Sequence, residues 1–159
     1  MSLLSQFQEH LARTTPFTRR DHLLLAISGG LDSVVLLDLL LCSGYRPDLA
    51  HCDFQLRGAA STADAIFVEK LAKQHDLQLH TKAFATAQYA QTHGYSTQMA
   101  ARELRYQWFE HLVAREGYDY VLTAHHFDDS LETFLLNFLR GTGLRGLQGI
   151  PAARDHFRR

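Results

Sequence analysis

At 159 residues, 46% hydrophobic and 21% charged, the sequence has the size and composition of one globular domain, which excludes a disordered chain and a fibre. A formal net charge of −1 gives no global basic signal, and two cysteines outside any C-x-x-C pattern exclude a cystine scaffold and make a reducing cytoplasm the expected setting. No apolar run approaches the roughly 20 residues of a membrane span, so no membrane partner is expected; the start, MSLLSQFQEHLAR, is amphipathic and carries an acid, unlike a signal peptide.

Taken in chain order, Leu3, Leu4, Phe7 and Leu11 recur at helical spacing and predict a helix over 3–13, within an N-terminal lead-in of residues 1–20. HLLLAI, residues 22–27, is a continuous apolar run expected of a strand covered on both faces. Residues 33–42, SVVLLDLLLC, read as a buried helix ending before Gly44. Residues 47–52 give a second strand, and Ser61 to Asp64 a capping-box-like start for a helix reaching about His75. Leu77, Leu79 and Thr81 alternate as a short third strand. Ser96 is placed to cap a helix running through Glu116, with Ala101, Leu104, Trp108 and Leu112 as its core stripe. Residues 118–124 form a fourth strand and residues 130–139 a final helix.

Strands alternating with helices predict an α/β fold, an open, mostly parallel, Rossmann-like sheet with helices on both faces. Ligands of such sheets bind at the carboxyl ends of the strands. Three polar segments fall there: residues 28–33, 51–57 and 125–132.

In the first of them, Ser28-Gly29-Gly30-Leu31-Asp32-Ser33 joins a buried strand to a buried helix. Glycines allow a tight turn and close approach of the backbone to a ligand, and the helix N-terminus directs N–H groups and positive dipole at it. Two serine hydroxyls complete a phosphate cradle; an ordinary strand–helix turn is the plainer reading. No G-x-x-x-x-G-K-[ST] is present to hold phosphates for γ-transfer, and no G-x-G-x-x-G. Asp32 suits either magnesium or the dipole of the first helical turn.

Elsewhere, Asp129 and Glu132 form a D-x-x-E capping pattern, while Asp128 and Asp129 together form a paired carboxylate at the sheet edge. Arg102 and Arg105, three residues apart, share a helix face suited either to clamping a phosphate or to solvent. Thirteen of the basic residues are Arg, five of them from Arg140 onward, matching phosphate contacts or a solvated tail. His125-His126-x-Asp128-Asp129 also invites a metal-hydrolase reading, but neighbouring residues of one short segment converge poorly on an ion. A non-catalytic nucleotide-binding module would keep residues 28–33 without these acids and arginines.

Ser-Gly-Gly-Leu-Asp-Ser resembles the pyrophosphate loop of the N-type ATP pyrophosphatases. Three further segments resemble the tRNA(Ile)-lysidine synthetases of that superfamily: residues 50–58 (AHCDFQLRG), 98–106 (QMAARELRY), and 123–133 (TAHHFDDSLET) followed by Arg140-Gly141-Thr142-Gly143. The likeness runs in order from about residue 22 to 151 and implies an adenine nucleotide alpha hydrolase-like domain over 21–159. It implies that ATP adenylates the C2 oxygen of the wobble cytidine in a tRNA(Ile) with a CAU anticodon. Free L-lysine then displaces AMP. It further implies nucleotide contacts at Ala26, Ser28, Gly29, Gly30, Leu31, Asp32, Ser33 and His51, with Asp32, Arg105 and Asp129 catalytic. Magnesium would sit on Asp32 and Asp129, and Arg102, Arg105, His125, Asp128, Glu132 and Arg140 would face lysine or tRNA. Asp53 and Phe54 stand where many members carry Asn or Val and then His, which leaves the role of position 53 open. The chain stops where that family continues, so a catalytic-domain fragment is expected, with monomer and homodimer equally compatible. The runner-up is a tRNA thiolase or another ATP-dependent adenylating enzyme of the amidotransferase type, the thiolase disfavoured because Cys42 falls in a buried helix pattern and Cys52 is isolated.

Overall fold

The structure, a computed structural model, describes residues 2–124. Its frame is a four-stranded parallel sheet of β1 (Leu23–Ala26), β2 (Asp48–Asp53), β3 (Leu79–Ala83) and β4 (Tyr120–Thr123), in the order β3-β2-β1-β4. Around it lie α1 (Leu3–Thr14), α2 (Leu31–Cys42), α3 (Ala59–His75), α4 (Thr86–His93) and α5 (Thr97–Glu116). The expected helix over 130–139 lies outside the described residues.

The period-2 geometry of a strand explains how this sheet is covered on both faces. Leu23, Leu25 and Ile27 pack with Phe7 and Leu11 of α1, Leu36 and Leu40 of α2, and Val68 of α3. The intervening Leu24 packs on the opposite face with Trp108, Phe109 and Leu112 of α5. Neighbouring strands repeat the split, Leu49 and Leu122 facing the first cluster, Ala50 and Val121 the second. The chain steps outward from β1 to β2 and β3, then returns across the sheet to β4. The connection therefore reverses direction at β1, between β2 and β4, and such a reversal is where an open α/β sheet holds its ligand.

Ser96 caps α5 by accepting the Met99 N–H; Ala101, Trp108 and Leu112 are buried as expected, whereas Leu104 is only partly buried and Ala100, Phe109 and Val113 widen the core stripe. Other expectations are corrected. The helix α3 starts at Ala59, because Gly58 (φ 52°, ψ −121°) turns the chain directly into it; Ser61 lies inside the helix and Asp64 does not complete a capping box. Leu77 precedes β3, and α2 starts at Leu31. Cys42 is exposed, since the buried side of α2 runs through Ser33, Leu36, Leu37, Leu39 and Leu40. Helix α4 was unforeseen: its cap, Ala85, offers no side-chain acceptor and its first turn carries no acid. It forms because Ala90 is buried and Gly94, in the left-handed region, ends it against α5.

A polar network closes the amino edge of the sheet. The fully buried Tyr118 donates its hydroxyl to Asp48 Oδ2 (2.7 Å) and accepts from His80 Nε2 (2.7 Å), while His22 Nε2 lies 3.1 Å from the same carboxylate oxygen. Residues beside or within all four strands are thereby joined. Burial holds the His80 pKa below its ordinary value of 6.5. A depressed folded-state pKa means the unfolded chain takes up the proton first, so this contribution is present above about pH 6.5 and is lost as the pH falls through the folded pKa. Two outcomes are expected in urea titrations. Tyr118→Phe should lower stability by about 1–2 kcal/mol, leaving two partly buried partners short of a hydrogen bond. The loss of wild-type stability below pH 6.5 should be smaller in His80→Gln.

Candidate active site

Ala26 ends β1 at the carboxyl edge, paired with Ala50 and Thr123, and Ile27 leads into the loop 28–33. Gly29 adopts φ +88°, a conformation that L side chains rarely take, and this turn carries the chain from the strand to α2. Gly30 caps α2 with no side chain of its own (φ −76°, ψ 160°). The first N–H groups of a helix lack intrahelical partners, so the absence of a capping side chain leaves room for an anion there.

The serines hold the loop's shape. Ser33, buried, donates its hydroxyl to the Gly30 carbonyl (2.9 Å) and accepts the Ser28 N–H (3.2 Å). Ser28 Oγ accepts the Gly30 N–H (3.1 Å) and lies 3.2 Å from Ser33 Oγ. Leu31 is 74% exposed at the lip, and Asp32, partly buried, sits in the first turn of α2. Beneath the loop, the buried His51 donates from Nδ1 to the Ile27 carbonyl (2.8 Å), which gives it a part in positioning the segment that leads into Ser28.

The neighbouring strand end carries a stack the sequence did not reveal. Arg105 lies 5.2 Å over the ring of Phe54, Phe54 stacks on Phe84 (5.5 Å, 20° between planes), and Lys82 lies 5.3 Å from the Phe84 ring. Two rings between two cations fix the Arg105 head at the carboxyl end of β2. Arg102 is exposed and lies 5.2 Å over Tyr106, one turn along its own helix. Asp53 Oδ1 accepts the Gln55 N–H (2.9 Å) and so shapes the turn that follows β2. Cys52, beside this stack, has its thiol pKa pushed up to about 12 by burial, with Arg105 and Lys82 acting weakly in the other direction. It is a protonated thiol at neutral pH, poorly suited to nucleophilic sulfur chemistry.

Asp64, expected as a capping acid, instead accepts a 2.7 Å ion pair from Arg57. Its Cβ would lie 3.4 Å from a Cβ built on Gly29, so α3 brings this pair against the loop. Among the described residues no group of three His, Cys, Asp or Glu side chains could hold a metal by itself. A single carboxylate, Asp32, fits the way magnesium is held by one or two acids together with phosphate oxygens. His125, Asp128, Asp129, Glu132 and Arg140 lie outside the described residues.

A glycine turn opening onto an uncapped helix, where a parallel sheet changes direction, is the architecture of a phosphate-binding α/β domain. The chain belongs to the PP-loop domain family, whose model matches residues 3–159. It is similar to the tRNA(Ile)-lysidine synthase of Bacteroides thetaiotaomicron, 48% identical over 90% of this chain and 32% of that protein. It is also similar to the tRNA(Ile)-lysidine synthase of Porphyromonas gingivalis strain W83, 46% identical over 98% of this chain and 34% of that protein. The chain thus spans about a third of the length of these curated relatives. Among solved structures, the NMN synthetase of Francisella tularensis superposes with a TM-score of 0.55 over 76% of this chain and 51% of its own, at 16% identity, a likeness of fold alone. An NH3-dependent NAD synthetase from Campylobacter jejuni gives 0.50 with the same coverage and identity.

The two loop glycines should respond differently to substitution. Gly29→Ala imposes a positive φ on an L residue and should cost about 1–2 kcal/mol of stability in a denaturant titration. Gly30→Ala keeps an ordinary φ but brings a Cβ to 3.3 Å from the hydrogen-bonded Ser28 Oγ, so it should lower stability without the added cost of a positive φ that Gly29→Ala carries.

Proposed function

We propose that this chain carries the catalytic domain of a tRNA(Ile)-lysidine synthase, a carbon–nitrogen ligase acting in the cytoplasm, with residues 21–159 as that domain and 1–20 as its lead-in. The observation that supports it most is the loop 28–33, with its Gly29 turn and uncapped α2, in a chain 46–48% identical to proteins named for that activity.

In this reading the β,γ-phosphates of ATP lie over residues 28–33, held by main-chain N–H groups at the start of α2 and the Ser28 hydroxyl, while Ser33, whose hydroxyl is committed to the Gly30 carbonyl, holds the shape of the loop. The C2 oxygen of the wobble cytidine, in a tRNA(Ile) with a CAU anticodon, attacks the α-phosphorus. The Pα–O bond to the β-phosphate breaks and pyrophosphate leaves. The neutral ε-amine of free L-lysine then attacks C2, the C2–O bond breaks, AMP departs with that oxygen, and the amine gives up a proton. Arg105, fixed by the Phe54 ring, supplies a guanidinium for charge developing on phosphate oxygens. Magnesium, held by Asp32 and Asp129, would neutralise phosphate charge. Arg102, His125, Asp128, Glu132 and Arg140 are assigned to lysine and tRNA. Ala26 and His51 shape the floor of the nucleotide site. A thiolase is disfavoured because Cys52 stands alone at this edge of the sheet, Cys42 lying at the end of α2 remote from the loop.

The test is incorporation of labelled L-lysine into tRNA(Ile) in the presence of ATP and magnesium. AMP and pyrophosphate should form together and only when tRNA is present; ADP as the nucleotide product would overturn the reading. Asp129→Asn should abolish most turnover with the fold intact, because Asn caps a helix as well as Asp does but carries no charge. Asp128→Asn should cost less. Wild-type rates in both variants would return the pair to a capping role.

A further inference from the structure

Arg57 is a cation that the mechanism above leaves unused. It lies in the turn after β2, two residues after Gln55 (φ 54°) and immediately before Gly58 (φ 52°). A positive φ is uncommon for a residue with a side chain, so Gln55 marks a turn of defined shape. Arg57 Nη2 lies 2.7 Å from Asp64 Oδ2, with the two side chains 69% and 31% exposed. Asp64 in turn stands against the loop, its Cβ 3.4 Å from a Cβ placed on Gly29. One carboxylate therefore separates a largely exposed guanidinium from the backbone that cradles phosphate.

We infer that Arg57 is a phosphate-binding residue, parked on Asp64 and shared with the β,γ-phosphates when ATP enters; this rests on the ATP reading proposed above. Exposed ion pairs hold weakly, so a guanidinium leaves such a partner readily, whereas a polyphosphate offers several acceptors to its planar fork. The carboxylate keeps the long side chain near the loop, so less of its freedom is lost when the nucleotide arrives. Because Asp64 stands against Gly29 and the reading above lays the β,γ-phosphates over residues 28–33, the charge of its Arg57 partner is used on the leaving group and not on the nucleoside monophosphate.

Calorimetric titration of the full chain with ATP, inorganic pyrophosphate and AMP, each with magnesium, tests this. Arg57→Gln should weaken ATP and pyrophosphate by about tenfold, the size of one charge-assisted contact, and leave AMP unchanged. Arg57→Lys should fall between, keeping the charge and losing the fork. Asp64→Asn should bind ATP and pyrophosphate at least as tightly as wild type, since the competing charge is gone. Wild-type affinities in Arg57→Gln would overturn the inference and leave the ATP reading standing. A uniform loss across all three ligands together with a lowered melting temperature would also overturn it, assigning Arg57 to the fold. A wild-type chain that binds neither ATP nor pyrophosphate would overturn the ATP reading and this inference with it.

Discussion

Burial of β1 on both faces is the constraint from which the rest follows. Leu24 and Leu25 are 0% exposed, and residues of opposite parity along this strand cannot share a face. Helices must cover each side, a parallel sheet meets that demand, and β1 must lie between two other strands. The carboxyl end of this inner strand is then flanked by β2 and β4, and whatever follows it emerges into the cleft between them. Residues 28–33 occupy that place.

The loop's polar groups do two kinds of work. Ser33 is buried and holds the turn through the Gly30 carbonyl and the Ser28 N–H, while Gly29 supplies the one backbone angle a side chain would resist. The α2 N-terminus, capped by no side chain, faces outward. A shape held by internal hydrogen bonds, beside a helix start without a side-chain cap, is what the ATP reading asks of this loop. At β2 the division is similar: Phe54 and Phe84 hold Arg105 by its face, leaving its N–H groups for other partners.

Much of this was legible in the sequence because it is local. Continuous apolar runs announced β1 and α2, Ser96 announced the start of α5, and the contiguous Ser28–Ser33 segment announced the turn between β1 and α2. What stayed hidden depends on residues far apart in the chain. The Tyr118 hydroxyl meets Asp48 across 70 positions, and no pattern around either residue foretells it. Asp64 read as a capping acid because its spacing from Ser61 is right; only Gly58, by starting the helix earlier, releases it for Arg57. Helix α4 was hidden for the opposite reason, since it lacks local signals and depends on packing against α5.

Pairing of β4 with β1 also bears on the order in which the molecule can be built. The His22 main-chain N–H bonds to Asp119 across 97 positions of sequence, at the start of the strand pairing that runs from Leu23 opposite Tyr120 to Ala26 opposite Thr123. During synthesis the loop, α2, β2 and α3 all emerge before β4 exists, and β1 spends that interval with one edge unpaired. Closing so long a separation is slow compared with forming a helix or a neighbouring strand. Among the described residues, half of the cleft is therefore completed last, and a ribosome pause before residue 120 would hold an apolar strand open to other chains.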